Sequence, residues 1–312
     1  MLQRTVVDAA RRRLLRALAA GGIATTLRAM PAFAQPAGLI TRPIPSSGEA
    51  LPVIGLGSWI TFNVGNDRAA RDGCMEVMRA FFAAGGRMID SSPMYGSSQD
   101  VIGDGLERLG KPARLFSADK VWIAPGTRGP AQIERSRQFW RVPRFDLLQV
   151  HNLLAWEEHL PTLLAMKSAG RLRYVGITTS EGRRHREIED VMRRHPLDFV
   201  QVTYNLRDRE VEQRILPLAR ERGIAVIANR PFREGALLRE LQRHRLPTWA
   251  AEIDCTNWAQ VALKFIVSHP ALTCAIPATS SVAHVRENMA AATGRMPDSA
   301  LRQRMAAHVD AL

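Results

Sequence analysis

Four polar side chains stand at or just beyond the ends of three short apolar runs. Asp90 closes the run through Met88-Ile89, and Tyr95 follows it in Asp90-Ser91-Ser92-Pro93-Met94-Tyr95-Gly96. Lys120 lies in Phe116-Ser117-Ala118-Asp119-Lys120-Val121, and His151 closes Asp146-Leu147-Leu148-Gln149-Val150-His151. Runs of this length and composition predict buried parallel strands. Polar groups at the C-terminal ends of such strands share one mouth if the sheet closes into a barrel. A carboxylate, a phenol, an ammonium and an imidazole would then meet. That set can protonate a carbonyl oxygen while a hydride arrives at the carbon.

The roles follow from acidity. A free tyrosine, with a pKa of about 10, gives up its proton poorly near neutrality. An adjacent ammonium favours the phenolate, so Lys120 would lower the Tyr95 pKa. Asp90 would pair with Lys120 and hold it in place. Tyr95 is then the general acid in reduction and the general base in oxidation. His151 would orient the carbonyl and stabilise charge on its oxygen.

The elements that must position these residues can be read from the chain. Eight apolar runs, at 53–56, 87–89, 115–118, 147–150, 174–177, 199–202, 225–228 and 274–276, are separated by helical patterns such as 69–84, 211–222 and 258–268. Strict alternation predicts an α/β fold with a parallel sheet, and eight units predict a (β/α)8 TIM barrel. Before it, 39–44 and 51–54 flank a polar turn and predict an N-terminal β-hairpin. The expected organisation is an export segment over 1–34 and a single barrel domain over 35–312. A Rossmann sheet is disfavoured, because Gly55-Leu56-Gly57-Ser58-Trp59-Ile60 lacks the third glycine of that fingerprint.

With these motifs in order, the chain resembles the aldo-keto reductase family from about Leu51 to Asn288. The stretch Gly85 to Gly96 carries the family's aspartate and tyrosine, and Lys120 and His151 match its strand-borne lysine and histidine. The resemblance implies an NAD(P)H-dependent reductase of a small carbonyl substrate, with NADP(H) as cofactor and NAD(H) as the alternative. It assigns Asp90, Tyr95, Lys120 and His151 to catalysis. It places Gly57, Ser58, Thr178, Thr179, Gln201, Asn229, Arg230, Thr279, Ser280, His284, Glu287 and Asn288 at the cofactor, and Trp59 and Trp122 as substrate-pocket walls.

Several positions depart from the family's habit. Thr178-Thr179 stand for a Ser-Asn pair, Asn229 replaces a ring-stacking aromatic, and Ala278 and His284 stand where many members carry lysine and arginine. Arg230 and Arg233 could contact the pyrophosphate instead. A catalytically weak homologue that binds cofactor as a sensor or binding subunit is the rival reading.

Charge and composition bound the rest. The net charge is +13 over 312 residues. Residues 1–34 hold six arginines and one aspartate, so +8 belongs to the remainder. Aromatics do not interleave with the scattered arginines, which argues against a nucleic-acid groove. Three widely spaced cysteines and dispersed histidines do not describe a disulfide framework or a metal site. No run of 18 apolar residues predicts a membrane span in the mature chain. Ala10-Arg11-Arg12-Arg13-Leu14-Leu15-Arg16, a weakly apolar run and Ala32-Phe33-Ala34 resemble a twin-arginine export signal with a cleavage site. That resemblance implies the twin-arginine export machinery as a partner and a folded, periplasmic product.

Overall fold

The computed structural model describes residues 38–126 and 128–312; the expected export segment, 1–34, lies outside them. Strands β1 (Thr41–Pro43) and β2 (Ala50–Pro52) pair antiparallel as the expected hairpin, shorter at both arms than the apolar runs. Eight parallel strands follow in sequential order: β3 (Leu56–Gly57), β4 (Met88–Asp90), β5 (Phe116–Val121), β6 (Leu147–Val150), β7 (Tyr174–Thr178), β8 (Phe199–Thr203), β9 (Ala225–Asn229) and β10 (Cys274–Ala275). Bridges Ile54–Ala275 and Gly57–Ala278 join the first barrel strand to the last, so the sheet closes. The close approach needs a glycine at 57, where a Cβ would sit 2.7 Å from the Ile276 carbonyl oxygen.

Helices α1 (Arg68–Ala83), α2 (Ser98–Arg108), α3 (Gly129–Trp140), α4 (Trp156–Ser168), α5 (His185–Arg194), α6 (Ile215–Arg222), α7 (Ala236–Leu241), α8 (Trp258–Val267), α9 (Val282–Ala290) and α10 (Ser299–Asp310) clothe the barrel. Asp67, Asn257, Ser281 and Asp298 cap α1, α8, α9 and α10, each accepting a backbone N–H three residues on. The helix expected over 211–222 begins only at Ile215, after a separate 3₁₀ turn at Glu210–Glu212. The chain after Asn288 ends in α10, which buries Met305 and Val309 against the core.

Two apolar layers result. The outer one lies between strands and helices. The inner one fills the barrel floor with Met88, Phe116, Leu147, Tyr174, Phe199 and Ile227, and the hairpin closes it from below with Ile44 and Leu51. Because a strand alternates its faces, the residues two positions above these floor residues point up the same bore. That places Asp90 above Met88, Gln149 above Leu147, and Gln201 above Phe199. Lys120 stands four positions above Phe116.

Candidate active site

The bore ends in a buried polar cluster. Asp90 and Lys120 form an ion pair with side chains 3% and 0% exposed. The second carboxylate oxygen of Asp90 accepts from Gln201 Nε2 at 3.0 Å and Gln149 Nε2 at 3.2 Å. Lys120 Nζ also donates to the Ser91 carbonyl at 2.8 Å. Gly176 makes this packing possible, since a Cβ there would meet Gln149 Cγ at 3.1 Å and the Phe199 carbonyl oxygen at 2.8 Å. Both Asp90 oxygens and two of the three Lys120 donors are thus hydrogen-bonded, the kind of satisfaction a buried ion pair requires.

Tyr95 lies above the pair, with Lys120 Nζ 5.2 Å from its ring centre. Trp59 packs on it at 4.9 Å, and His151 meets it edge-on at 5.7 Å. Burial raises the Tyr95 pKa, and Lys120 offsets this only in part. The phenol thus stands above its ordinary value, where the sequence predicts a lowered one: enclosure outweighs the neighbouring charge. Tyr95 carries its proton at neutral pH and is set as an acid. Burial also works against the Lys120 ammonium, but Asp90, Tyr95 and Asp119 outweigh it and hold its pKa above the usual value.

Burial and the Lys120 charge together hold His151 well below the ordinary imidazole range. Its ring is neutral at pH 7. Nδ1 lies 2.7 Å from Ser92 Oγ, which already accepts the Met94 N–H at 3.2 Å. When the Ser92 hydroxyl donates to Nδ1, the ring proton stands on Nε2. In that tautomer His151 is a neutral donor beside a protonated phenol.

A cavity of about 690 Å³ opens over this cluster, within the range of small-molecule sites. Gly57, Ser58, Trp59, Asp90, Tyr95 and His151 line its inner end, with Thr178, Gln201, Asn229 and Arg230 along one wall. Thr279, His284, Glu287 and Asn288 line it further out. Lys120 lies beneath, wholly buried. Thr179, Ser280 and Trp122 do not line it. Thr179 follows the inward-facing Thr178 and so turns to the other face of the strand; its carbonyl accepts from Asn229 Nδ2 at 2.9 Å. Ser281 caps α9. Trp122 lies just past the end of β5, 38% exposed, with its ring 6.5 Å from that of His151.

The donor set along the cavity fits a nicotinamide dinucleotide. Gln201 offers an incompletely used amide oxygen: Oε1 has only long contacts, at 3.4 Å, to Thr178 Oγ1 and Asn229 Nδ2. Arg230 lies beyond them, paired with Glu234 at 2.5 Å and Glu181 at 3.1 Å. Arg233 pairs with Asp208 instead. Asn229 supplies no aromatic face, and its side chain is fixed by Thr203 and Thr179.

Some functional neighbours escape the sequence reading. Gln149, Ser92, Asp119 and Glu234 are among them. Gln149 and Asp119 leave a trace in the sequence, as polar residues inside strongly apolar strands. Ser92 and Glu234 lie in loops whose course no periodicity encodes.

Known proteins are similar to this chain. The methylglyoxal reductase YeaE of Escherichia coli is 27% identical over 250 residues, covering 78% of this chain and 87% of that protein. The NADH-specific methylglyoxal reductase of the same organism is 23% identical over 316 residues, covering 82% and 94%. A crystal structure of an aldo-keto reductase from Klebsiella pneumoniae in complex with NADPH shares the fold, with a TM-score of 0.71 at 23% identity over 84% of this chain and 92% of that one. The model of the aldo/keto reductase family matches residues 53–307, which spans the closed barrel from its first strand to its last helix and takes in every residue of the polar cluster: the chain belongs to the aldo/keto reductase family.

Proposed function

We propose that the chain reduces an aldehyde or ketone to its alcohol, using NADP(H), with NAD(H) as the alternative cofactor. The nicotinamide, when bound, supplies the hydride to the carbonyl carbon. Gln201, Thr178 and Asn229 would hold its carboxamide, Arg230 its pyrophosphate, and Thr279, His284, Glu287 and Asn288 its adenosine end. His151 Nε2–H would donate to the carbonyl oxygen and fix its position. Tyr95 would give its proton to that oxygen as the C–H bond forms. Lys120 would stabilise the resulting phenolate, and Asp90 would keep the ammonium in place and charged.

One observation carries the reading. The acid and a neutral hydrogen-bond donor line a single cavity, and the cation that can stabilise the acid's conjugate base lies buried beneath it. The two methylglyoxal reductases among the relatives support a small aldehyde as a first test substrate. Purified protein should oxidise NADPH or NADH when methylglyoxal or a simple alkanal is added. Tyr95→Phe should lower kcat by about 10² or more while the cofactor Kd stays within about twofold. A variant with near-normal kcat would remove Tyr95 from the chemistry. Tight cofactor binding with no turnover of any carbonyl would favour the binding-subunit reading. We also propose that residues 1–34 are an export signal and that the enzyme works in the periplasm.

A further inference from the structure

Ser92 touches both groups that would meet the carbonyl oxygen. Its backbone carbonyl accepts the Tyr95 N–H at 3.0 Å, and its hydroxyl oxygen lies 2.7 Å from His151 Nδ1. It is fully buried, and its own conformation is fixed locally. A residue before proline is pushed toward extended backbone, and Pro93 presets the first central position of the turn from Ser92 to Tyr95. The Met94 N–H donates to the Ser92 hydroxyl oxygen at 3.2 Å, which holds the side chain in place.

His151 is fixed from its other side by the turn that follows it. Asn152, Leu153 and Ala155 all have left-handed backbone, with φ of 53°, 53° and 49°. Leucine and alanine are strained there, and such strain persists only where the surroundings hold it. Arg184 does so: its Nη1 donates to the Asn152 and Leu153 carbonyls at 2.8 Å and 3.0 Å. Glu187 holds the rest of that guanidinium and also accepts Trp156 Nε1 at 2.8 Å. This brace sets where the His151 backbone stands. It leaves open which ring nitrogen carries the proton.

That choice falls to Ser92. Among the described residues, nothing else hydrogen-bonds either ring nitrogen of His151. A neutral imidazole has one donor nitrogen and one acceptor nitrogen. With the proton on Nδ1, that nitrogen donates to Ser92 Oγ, and the hydroxyl hydrogen is left buried without an acceptor, which is destabilising. With the proton on Nε2, the hydroxyl donates to Nδ1 and accepts from Met94, and every buried group is used. Donation into Nδ1 also polarises the ring and strengthens Nε2–H as a donor. A carboxylate in the place of Ser92 would act in the opposite sense. It would draw the proton to Nδ1 and leave Nε2 an acceptor, unable to hold a carbonyl oxygen.

Resting on the carbonyl-reduction reading, we propose that Ser92 is a positioning residue for His151: its hydroxyl donates to Nδ1, keeps the ring proton on Nε2 and so makes the ring a donor to the substrate carbonyl. The same residue ties the Tyr95 backbone to that ring, so the acid and the donor are held in one frame.

The test is nitrogen-15 spectroscopy of the eight histidines in the full chain with NADP+ added. Protonated and unprotonated ring nitrogens resonate far apart, and the His151 pair is identified by its loss in His151→Asn. The parent should carry its proton on Nε2. Ser92→Ala should move the Nδ1 signal, because the hydrogen bond to that nitrogen is gone. It should also lower kcat about tenfold, the scale of one lost hydrogen bond, with the cofactor Kd within about twofold. Ser92→Thr keeps the hydroxyl and should return the Nδ1 signal and most of kcat. A parent proton on Nδ1, or an alanine variant with the parental Nδ1 signal, would overturn the proposal. So would a folded threonine variant that behaves as the alanine one does. Should threonine not fold at this buried position, the alanine spectrum decides alone. If no carbonyl is turned over, the reduction reading falls, and the hold of Ser92 on the ring stands or falls with the Nδ1 signal.

Discussion

Lys120 and Asp90 face each other across two neighbouring strands in an ion pair sealed from solvent. Asp90 has two further donors, Gln149 and Gln201, whereas Lys120 has only the Ser91 carbonyl besides. The pair both anchors the barrel mouth and sets the charge beneath Tyr95.

Removing one partner strands the other. Lys120→Met should cost about 3–5 kcal/mol, because a buried carboxylate loses its counter-ion. Asp90→Asn with Lys120→Met should recover most of that loss but no activity, since nothing then stabilises the Tyr95 phenolate. Urea unfolding of both variants with kcat measured alongside checks this. A Lys120→Met protein as stable as its parent would show that the charge is not buried as described.

The sequence makes the skeleton of this site legible because the barrel imposes a simple rule. A polar residue at the end of a buried apolar run has nowhere to go except the mouth, so Asp90, Lys120 and His151 can be placed without coordinates. Tyr95 follows from its spacing after Asp90. Finer placements are not legible. Thr178 lines the cavity and Thr179, just past the end of β7, does not, and Trp122 stands past the end of β5 at Val121, outside the cavity lining. The direction of the Tyr95 shift depends on how deeply it is enclosed, which is a tertiary quantity. The pairing of Arg230 with Glu234 and Glu181 depends on loop paths that local sequence does not fix.

Asp119 points away from Lys120 on the same strand, into the layer between barrel and helices. One carboxylate oxygen accepts the Lys120 N–H and the other accepts Gln99 Nε2, both at 2.7 Å. Enclosure pushes its pKa from 3.8 up to about 7, against the pull of Lys120 and Gln99. Between those two values the folded chain keeps a proton that the unfolded chain has released. Stability therefore falls as pH rises across that window and levels off above it. Asp119→Asn should remove this slope, with the Gln99 amide turning over to present its oxygen. Relative to the parent, the variant should gain on the order of 3 kcal/mol between pH 4.5 and pH 8. Denaturation at a series of pH values reads the slope directly, and parallel curves for the two proteins would contradict the assignment.

Cofactor preference offers a separate test. Ala278 pairs in the barrel seam with Gly57, and His284 lies on the first turn of α9 with Nδ1 3.4 Å from Thr279 Oγ1. Neither supplies a permanent cation for a 2′-phosphate. Selectivity for NADPH over NADH should therefore be modest in the parent. Ala278→Lys with His284→Arg should raise it by about tenfold or more, since arginine holds phosphate by paired hydrogen bonds. Kd values for both cofactors, from quenching of protein fluorescence, decide the matter. Equal ratios in parent and variant would mean that this segment lies away from the 2′-position.

The last prediction concerns location. Arg11-Arg12, the weakly apolar run after them and Ala32-Phe33-Ala34 have the composition and order of an export signal with a small-residue cleavage site. A reductase that needs a nicotinamide cofactor is best exported after it has folded around one, which is the service the twin-arginine route would provide. The mature chain should begin near Gln35 and should release a nicotinamide dinucleotide on denaturation. Arg11→Lys with Arg12→Lys keeps the charge and removes the paired guanidinium groups. Full-length protein should then accumulate in the cytoplasm with unchanged specific activity, because the barrel starts well after the altered pair. Fractionation with N-terminal sequencing reads both points. Export of the variant at the parental level, or an intact Met1 on the native cytoplasmic protein, would show that these arginines belong to something other than an export signal.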